Sequence, residues 1–587
     1  MDRRDTLCAG LLSTGLVLLL LPFAGQGVDS HHDGIMLKPA LDVLAGQVLF
    51  RDTFSQYGAL TSCLQVVALW FNPSLLSLRL LAVAAYGLTL FFLYAAWRLI
   101  LPRSLTLLSC GLFILFIPIA EKNAAGEYWM LLSWSSVFAM MFQSLGLYAL
   151  FRVIRGEQPA QWGMVLGLTC ACVFWCRQPV GVLMFGSLVA IGFGLHWTNW
   201  RPPGQSRRSI LIRIGGGFIV VNALLLGDIL LAGAGPEWWY QNFVWPRKWA
   251  EGGPHMGAAG YLEHYVHPTA AAMLLVVLVA AALPAQLKRF RPAISSRSIT
   301  VYMLFLGAVL VWQYEPVLRL LALRDGGWSA LFPGLILLQT IVSVVMVVKS
   351  RGRPRTTEYY LVAALAIFAL GSLPQYIPVG DPWHVIWALA PAFGLLALVV
   401  WRWVGWPARV VALGSAALFV PALCLKTQSA IDALSRPLIT LTQPPALRGM
   451  KVPPEQAHRF GEISRVVAQV LRHRPDLPSA LIGNDALFLC FTNNRTNSSP
   501  YFVTWAGLAD NTANQERWNN IQRVRPLMFL HKAKSEAVND FYRRARYVPL
   551  LHLPEDALDI AVPQELAEAM GRTAPEMAPP ARAATGR

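Results

Sequence analysis

Charge is what this sequence of 587 residues has least of: Asp, Glu, Lys and Arg make up 14% of it, against 55% hydrophobic residues. With a mean hydropathy of +0.47, that scarcity excludes a soluble globular chain of this size and points to a bilayer. The eight cysteines lack metal-type spacing. Cys8, Cys63, Cys110, Cys170, Cys172, Cys176 and Cys424 lie in or beside apolar runs and read as small core residues, and only Cys490 lies in a polar region, so no disulfide framework is expected. A fixed-period repeat is also missing, which counts against solenoids and gives no support to an inverted-repeat transporter. The apolar runs do not alternate, which argues against a membrane barrel. No basic face with interleaved aromatics stands clear of these runs, so the net charge of +17 is not read as a nucleic-acid surface.

What is present is a series of apolar runs, many near twenty residues long. Inside hydrocarbon every backbone amide must be satisfied within its own segment, and helices achieve this. Spans are expected near 7–24, 60–97 (a re-entrant or interfacial piece and then a full span), 104–120, 129–151, 161–176, 179–197, 211–233, 268–287, 299–315, 330–348, 359–374, 384–401 and 408–425. The first follows Asp2-Arg3-Arg4-Asp5 and reads as an uncleaved helix rather than a signal peptide. The loops carrying Arg98/Arg103, Arg152/Arg155, Arg201/Arg207/Arg208/Arg213, Lys288/Arg289/Arg291/Arg297, Lys349/Arg351/Arg353/Arg355 and Arg402/Arg409 then share one side with Arg3 and Arg4. The positive-inside rule makes that side cytoplasmic. Segments 25–59, 118–128, 233–267 and 374–383 fall on the opposite side, and by parity so does the C-terminal region.

The fold class is thus an all-α polytopic membrane protein of about 13 transmembrane helices with a small C-terminal α/β soluble domain. Its expected divisions are a membrane body at 1–426, a periplasmic α/β domain at 427–570 and a disordered tail at 571–587. The domain rests on a helix signal at Pro454–Arg472, apolar runs at Ala480–Gly483, Leu487–Phe491, Pro526–Leu530 and Val548–Leu551, and a helical stretch near Glu536–Arg546. The tail is rich in Ala, Pro and Arg.

The first outward loop runs His31-His32-Asp33-Gly34-Ile35-Met36-Leu37-Lys38-Pro39-Ala40-Leu41-Asp42-Val43-Leu44-Ala45-Gly46, then Gln47 to Gly58. Pro39 is suited to open a helix with Leu37, Leu41 and Leu44 on one face and Lys38 and Asp42 on another, lying along the interface and ending at Gly46. Asp33 then sits near headgroup depth. The run "HDG…AL..L.G…RD.F.QYG", an acid in the first loop after the first membrane helix, and a many-span body followed by an outward soluble part together resemble the GT-C superfamily of integral-membrane glycosyltransferases. That superfamily includes the protein mannosyltransferases and the lipid A aminoarabinose transferases. The resemblance covers about residues 1 to 425 and is strongest in the first loop.

The resemblance implies an inverting glycosyltransferase with a polyprenyl-phosphate sugar donor, an acceptor that is a glycan, lipid or protein, and a place in the inner (plasma) membrane. It also implies that the first-loop acid activates the acceptor, and Asp33 is the matching position. The chemistry agrees. An acceptor hydroxyl is a poor nucleophile at neutral pH and needs a carboxylate to take its proton. A departing lipid phosphate needs Arg, Lys or a metal. Lys38, Arg51, Lys122 and Arg177 are the cations expected on that face.

Each residue also has a plainer reading. Asp33 would serve equally as a helix cap, and His31 and His32 would hold a divalent metal beside it or simply face solvent. Arg51-Asp52 reads as a local ion pair or as a substrate contact, with Gln56 and Tyr57 in the turn that follows. Glu121, Lys122 and Glu127 occupy the second outward loop, where the resembled superfamily often has another functional acid, and Tyr128 and Trp129 are interface aromatics there in any case. Arg177 interrupts a nearly unbroken apolar stretch, either as a functional charge or as a marker of the turn between spans. The loop from Pro236 to Pro268 is dense in Trp and Tyr, suited to sugar stacking or to an aromatic belt. Asp381 and His384 look like the late "D..H" element of related bacterial sequences, without the Arg often seen just before that Asp. A lipid-linked saccharide transporter or flippase, an envelope polymer ligase or polymerase, and a membrane scaffold are the competing functions. Of transport and transfer, only transfer needs the Asp33 carboxylate for donor turnover.

Overall fold

The computed structural model describes residues 1–119, 130–198, 200, 206–252, 356–372, 375, 382–404, 423–424, 426–483, 485–492, 519–531, 545–554 and 558–571. The expected spans at 268–287, 299–315 and 330–348 and nearly all of 408–425 lie outside these residues, as do Glu536–Arg544 and the Asn493–Asn497 run.

Among the described residues six helices are long and apolar enough to cross a bilayer: α1 Arg3–Ala24, α4 Leu75–Trp97, α6 Ser135–Ile154, α7 Pro159–Cys176, α8 Gln178–Trp197 and α9 Arg207–Leu231. Shorter helices lie between them and after them: α2 His32–Leu44, α3 Ala59–Phe71, α5 Arg103–Phe116, α10 Gly235–Trp239, α11 Trp245–Gly252, α12 Thr357–Ser372, α13 Pro382–Leu389 and α14 Ala392–Val404. The region 60–97, expected as a re-entrant or interfacial piece and then a full span, is the short α3 followed by the spanning α4. The span expected at 384–401 is split into α13 and α14, and Pro391 lies between them, where it can neither donate a helical hydrogen bond nor fit the preceding turn. The aromatic segment after Pro236 is helical as far as it is described, with a π-helical turn at Tyr240–Val244 between α10 and α11, not a loop.

The helices alternate in direction, and the ion pairs show which ends meet. At one end Asp5 of α1 binds Arg98 at 3.1 Å and Arg103 at 2.8 Å, after α4 and at the start of α5. Arg152 and Arg155, at the C-terminal end of α6, pair with Glu157 at 2.8 and 2.9 Å. The other end gathers the start of α4, the start of α6 and the turn between α7 and α8, where Gly58 N donates to Cys176 O at 3.2 Å.

Beyond the helical body, α15 Pro454–His473 packs on a four-stranded sheet ordered β3-β4-β6-β5, with β3 Ser479–Ile482 parallel to β4 Leu527–His531 and the other pairs antiparallel, and α16 Gln564–Ala569 follows it. Strand β5 is Tyr547–Leu553 and β6 is Leu558–Pro563. A small ribbon, β1 Ile439–Thr440 and β2 Lys451–Val452, joins this unit to the loop after α1: Gly27 N donates to Lys451 O at 2.8 Å and Lys451 N to Gly25 O at 2.6 Å. Strand β6 and α16 had no signal that the sequence reading used. The apolar run 487–491 is a 3₁₀ segment, Ala486–Thr492, and it buries Cys490.

Helix α2 differs from its expected form. It starts at His32, seven residues before Pro39, which is therefore interior, and it ends at Ala45 before Gly46, whose φ of +90° favours glycine. Every residue from Asp33 to Asp42 is buried. An interfacial helix would leave one face to lipid headgroups. Here Ile35, Met36, Leu37, Ala40 and Leu41 share one apolar core with Phe460, Ile463, Leu487 and Phe488 of the C-terminal unit, so α2 is held between that unit and the helical body. The tightest approach is at Gly34, where an added Cβ would lie 2.1 Å from Leu487 N. Only glycine admits a backbone that close.

Candidate active site

The site is built around the N-terminal turn of α2. Asp33 is 1% exposed, and its Oδ2 accepts from Arg79 Nη2 at 2.5 Å and from Asp29 N at 2.8 Å. Its Oδ1 is buried with no hydrogen bond among the described residues. Arg79 lies in the second turn of α4 and is fully buried, and its Nη1 donates to Gln26 O at 2.8 Å. Burial pushes the Asp33 carboxyl above the usual carboxylate range and the charge of Asp29 adds to this, while Arg79 pulls the other way.

Asp29, four residues earlier, presents the contrasting environment. Its side chain is 32% exposed, and it accepts from His31 N at 2.9 Å and His32 N at 2.6 Å, with His32 Nδ1 at 3.0 Å. Desolvation works to raise this carboxyl, but the hydrogen bonds and charge of His32, with that of His31, hold it well below the usual range. Two carboxylates in one turn are thus driven apart, a pattern suited to distinct proton-handling roles. Asp29 stands two residues before the His31-His32-Asp33 run and carries no motif signal of its own.

Trp134, just before α6, connects the first loop to the late helices. Its ring lies 5.0 Å from His32, 5.4 Å from His384 and 5.2 Å from Trp387. His384 and His32 thus touch the same indole ring. Two residues on, Ser136 Oγ accepts from Arg177 Nη1, and burial lifts the Tyr57 phenol beside Arg177, whose charge opposes the lift. Arg177 marks the turn between α7 and α8 and is only partly buried, so the start of α6 bridges an acid-and-histidine cluster to a cation. Gln56 hydrogen-bonds Tyr57 in the same half-buried turn.

Other candidates are placed elsewhere. Lys38 and Asp42 are 0% exposed and pair with each other, Thr53 Oγ1 also donating to Asp42 at 2.7 Å. The exposed polar face expected for these two is not observed, because the C-terminal unit covers it. Arg51 and Asp52 form the local pair at 2.9 Å, which holds Asp52 below its ordinary range, and Arg51 also donates to Ala232 O at 3.1 Å. Glu121, Lys122, Glu127 and Asp381 lie outside the described residues. Among the described residues no three His, Cys, Asp or Glu side chains converge as metal ligands. The metal alternative for His31 and His32 meets a different geometry: His31 Nδ1 is 3.8 Å from Asp485, and His32 is tied to Asp29.

Asp485 belongs to a lid-like contact over this turn. It accepts from Ser30 Oγ at 2.5 Å and lies 3.4 Å from His531 Nδ1 of β4, and Leu487 N donates to Ser30 O at 3.2 Å. The segment 485–492 therefore packs on the turn that carries Asp33, through Ser30 and Gly34.

No family model and no curated protein matches the chain. Among solved structures it is similar to the Archaeoglobus fulgidus oligosaccharyltransferase in complex with zinc and sulfate, at 11% identity and a TM-score of 0.48, covering 96% of this chain and 73% of that one. It is also similar to the archaeal oligosaccharyltransferase AglB from A. fulgidus in complex with an inhibitory peptide and a dolichol-phosphate, at 10% identity, a TM-score of 0.46, and 96% and 74% coverage. ArnT from Cupriavidus metallidurans bound to undecaprenyl phosphate matches at 11% identity and a TM-score of 0.41, covering 94% of this chain and 97% of that one.

Proposed function

We propose that the chain is a membrane glycosyltransferase that moves a sugar from a polyprenyl-phosphate donor to an acceptor hydroxyl on the non-cytoplasmic face, with inversion, and that Asp33 is the general base. The observation that carries this reading is the Asp33 carboxyl itself. It is buried, held by one oxygen only, and stands in the turn that also carries His32 and faces the Trp134–His384 contacts. A carboxylate whose proton affinity is raised by burial is, once ionised, a stronger base than an exposed one.

In this mechanism the acceptor hydroxyl gives its proton to Asp33 as it attacks the anomeric carbon, and the bond to the lipid phosphate breaks on the opposite face of the sugar. The negative charge that develops on the phosphate meets Arg177. Arg177 is favoured by its place, since it donates to Ser136 Oγ two residues from Trp134, whose ring touches both His32 and His384. Trp134 and His384 lie between the base and that cation along the chain of contacts and offer aromatic surface to the sugar. Glu121, Glu127 and Lys122 of the second outward loop, together with Asp381, remain proposed contributors. The polar first loop, the basic loops at the opposite end and the C-terminal unit packed on the first loop support a multi-pass protein of the inner membrane with residues 427–570 outside.

The test is transfer by the purified full chain in nanodiscs from a panel of undecaprenyl-phosphate-linked sugars. Asp33→Asn is expected to lose about 10²–10⁴ in rate with lipid binding retained. Wild-type rates in that variant would overturn the assignment.

A further inference from the structure

We propose that Arg79 is the positioning residue for Asp33. Its guanidinium fixes one carboxylate oxygen and ties it to the loop after α1, so that the other oxygen is left for the acceptor. The inference rests on the reading of Asp33 as the base.

Arg79 is the only Asp, Glu, Lys or Arg in the 23 residues of α4, and it is fully buried. A charge inside a membrane helix is costly and is retained where it has a task. Its two bonds run in different directions, Nη2 to Asp33 Oδ2 at 2.5 Å and Nη1 to Gln26 O at 2.8 Å. A planar guanidinium can make both at once with fixed geometry, which a lysine ammonium on a flexible stem cannot. Asp29 N supplies a third point, at 2.8 Å on the same Oδ2. Two donors on Oδ2 leave Oδ1 buried and unbonded among the described residues. A pair serving only to join α2 to α4 would gain little over an apolar contact, since desolvation offsets most of the attraction. The groups that face Asp33 are Arg79 from α4 and Asp29 from the loop; His31 and His32 share its turn, and Asp485 and His531 reach that turn from above. Of these, Arg79 is the one that favours the ionised carboxylate most directly. Without it, burial and the charge of Asp29 oppose ionisation, and of the groups above only the Asp29 N–H still favours it.

The experiment is an infrared pH titration of the full chain in nanodiscs, in which subtracting the Asp33→Asn spectrum isolates the Asp33 carboxyl. Arg79→Gln is expected to move its midpoint upward by about one to three pH units. Arg79→Lys, which keeps the charge but not the fork, is expected to recover most of that shift while transfer stays about tenfold to a hundredfold low. An unmoved midpoint in Arg79→Gln, or a wild-type transfer rate in Arg79→Lys, would overturn the inference. Should Arg79→Gln not fold, the Arg79→Lys rate decides alone. Failure of the underlying reading is seen separately, as undiminished transfer in Asp33→Asn.

Discussion

Helix α2 carries two fully buried ion pairs, and they differ in what each joins. Lys38 and Asp42 are one turn apart on the same helix, and their contact needs nothing beyond helical geometry and a cover to exclude water. Asp33 and Arg79 are 46 residues apart, on α2 and α4, and their contact exists only when the loop after α1 folds back between those helices. The local pair has its oxygens engaged by Lys38 and Thr53, whereas the distant pair leaves one carboxylate oxygen unbonded among the described residues. Saturated bonding suits a structural role. An unfilled acceptor at the mouth of a histidine-and-tryptophan cluster suits a chemical one.

This contrast is sharpest for the two aspartates, and the largest expected effect lies there. Asp33→Asn should abolish transfer, by about 10²–10⁴, while Asp42→Asn should chiefly destabilise the fold. Removing one partner of a buried pair costs about 3–5 kcal/mol because the other charge is stranded. Thermal unfolding in detergent with and without the paired change Lys38→Met/Asp42→Leu measures it, and the double variant should recover most of the loss. Comparable transfer losses per folded molecule in the two single variants would erase the distinction.

A second test separates the two acids of the first loop by pH. The Asp33 carboxyl is raised, so a base that must be ionised loses activity as pH falls through a midpoint above the ordinary carboxylate range. Asp29 is held low and stays ionised well below that point. The acidic limb of kcat/KM should therefore persist in Asp29→Asn, and a limb that disappears there would assign the base to Asp29. The profile of His32→Gln belongs to the same measurement, because His32 Nδ1 lies 3.0 Å from Asp29.

These contrasts also explain what could be read from the sequence. Residue spacing gave the membrane helices, the pairing of Arg51 with Asp52 and the turn at Arg177, because each depends on neighbours within a few residues. The strong helix signal of α15 and the apolar runs that became β3, β4 and β5 were legible for the same reason. The first-loop acid was legible through its motif. Arg79 was not, since an arginine inside an apolar run looks like a defect of the span until its partner on another helix is seen. The burial of α2 was equally hidden: an amphipathic pattern beside a membrane helix fits an interfacial helix as well as one covered by a unit about 450 residues away in the chain, and the polar pair Lys38–Asp42 was taken for an exposed face. Pro39 misplaced the helix start because proline is tolerated in a first turn, and the earlier turn built on Asp29 was overlooked.

The cover over Asp33 offers a smaller, purely structural comparison between the two sides of α2. Gly34 faces Leu487 N, and a methyl group there would sit 2.1 Å from it. Gly34→Ala should therefore push the 486–492 segment away, raise amide exchange across those residues about tenfold or more, and leave exchange in α4 unchanged. Equal exchange in both proteins would mean that the segment does not rest on α2 as described.

The smallest effect is expected at Arg51 and Asp52, the one pair of the loop that lies largely in solvent. Its side chains are 47% and 36% exposed, and Asp52 also accepts from Val48 N at 2.8 Å, so the turn keeps a backbone anchor when the guanidinium is removed. Exposed pairs contribute little because water screens the attraction and two side chains must be ordered to make it. The bond from Arg51 to Ala232 O, at the end of α9, is exposed too. Arg51→Gln should thus change transfer by less than about twofold and leave the unfolding temperature unaltered within error. If that substitution instead lowered kcat tenfold at unchanged stability, the donor phosphate would have to be moved from Arg177 to Arg51, and the division of the first loop into a chemical half and a structural half would fail at its solvent edge.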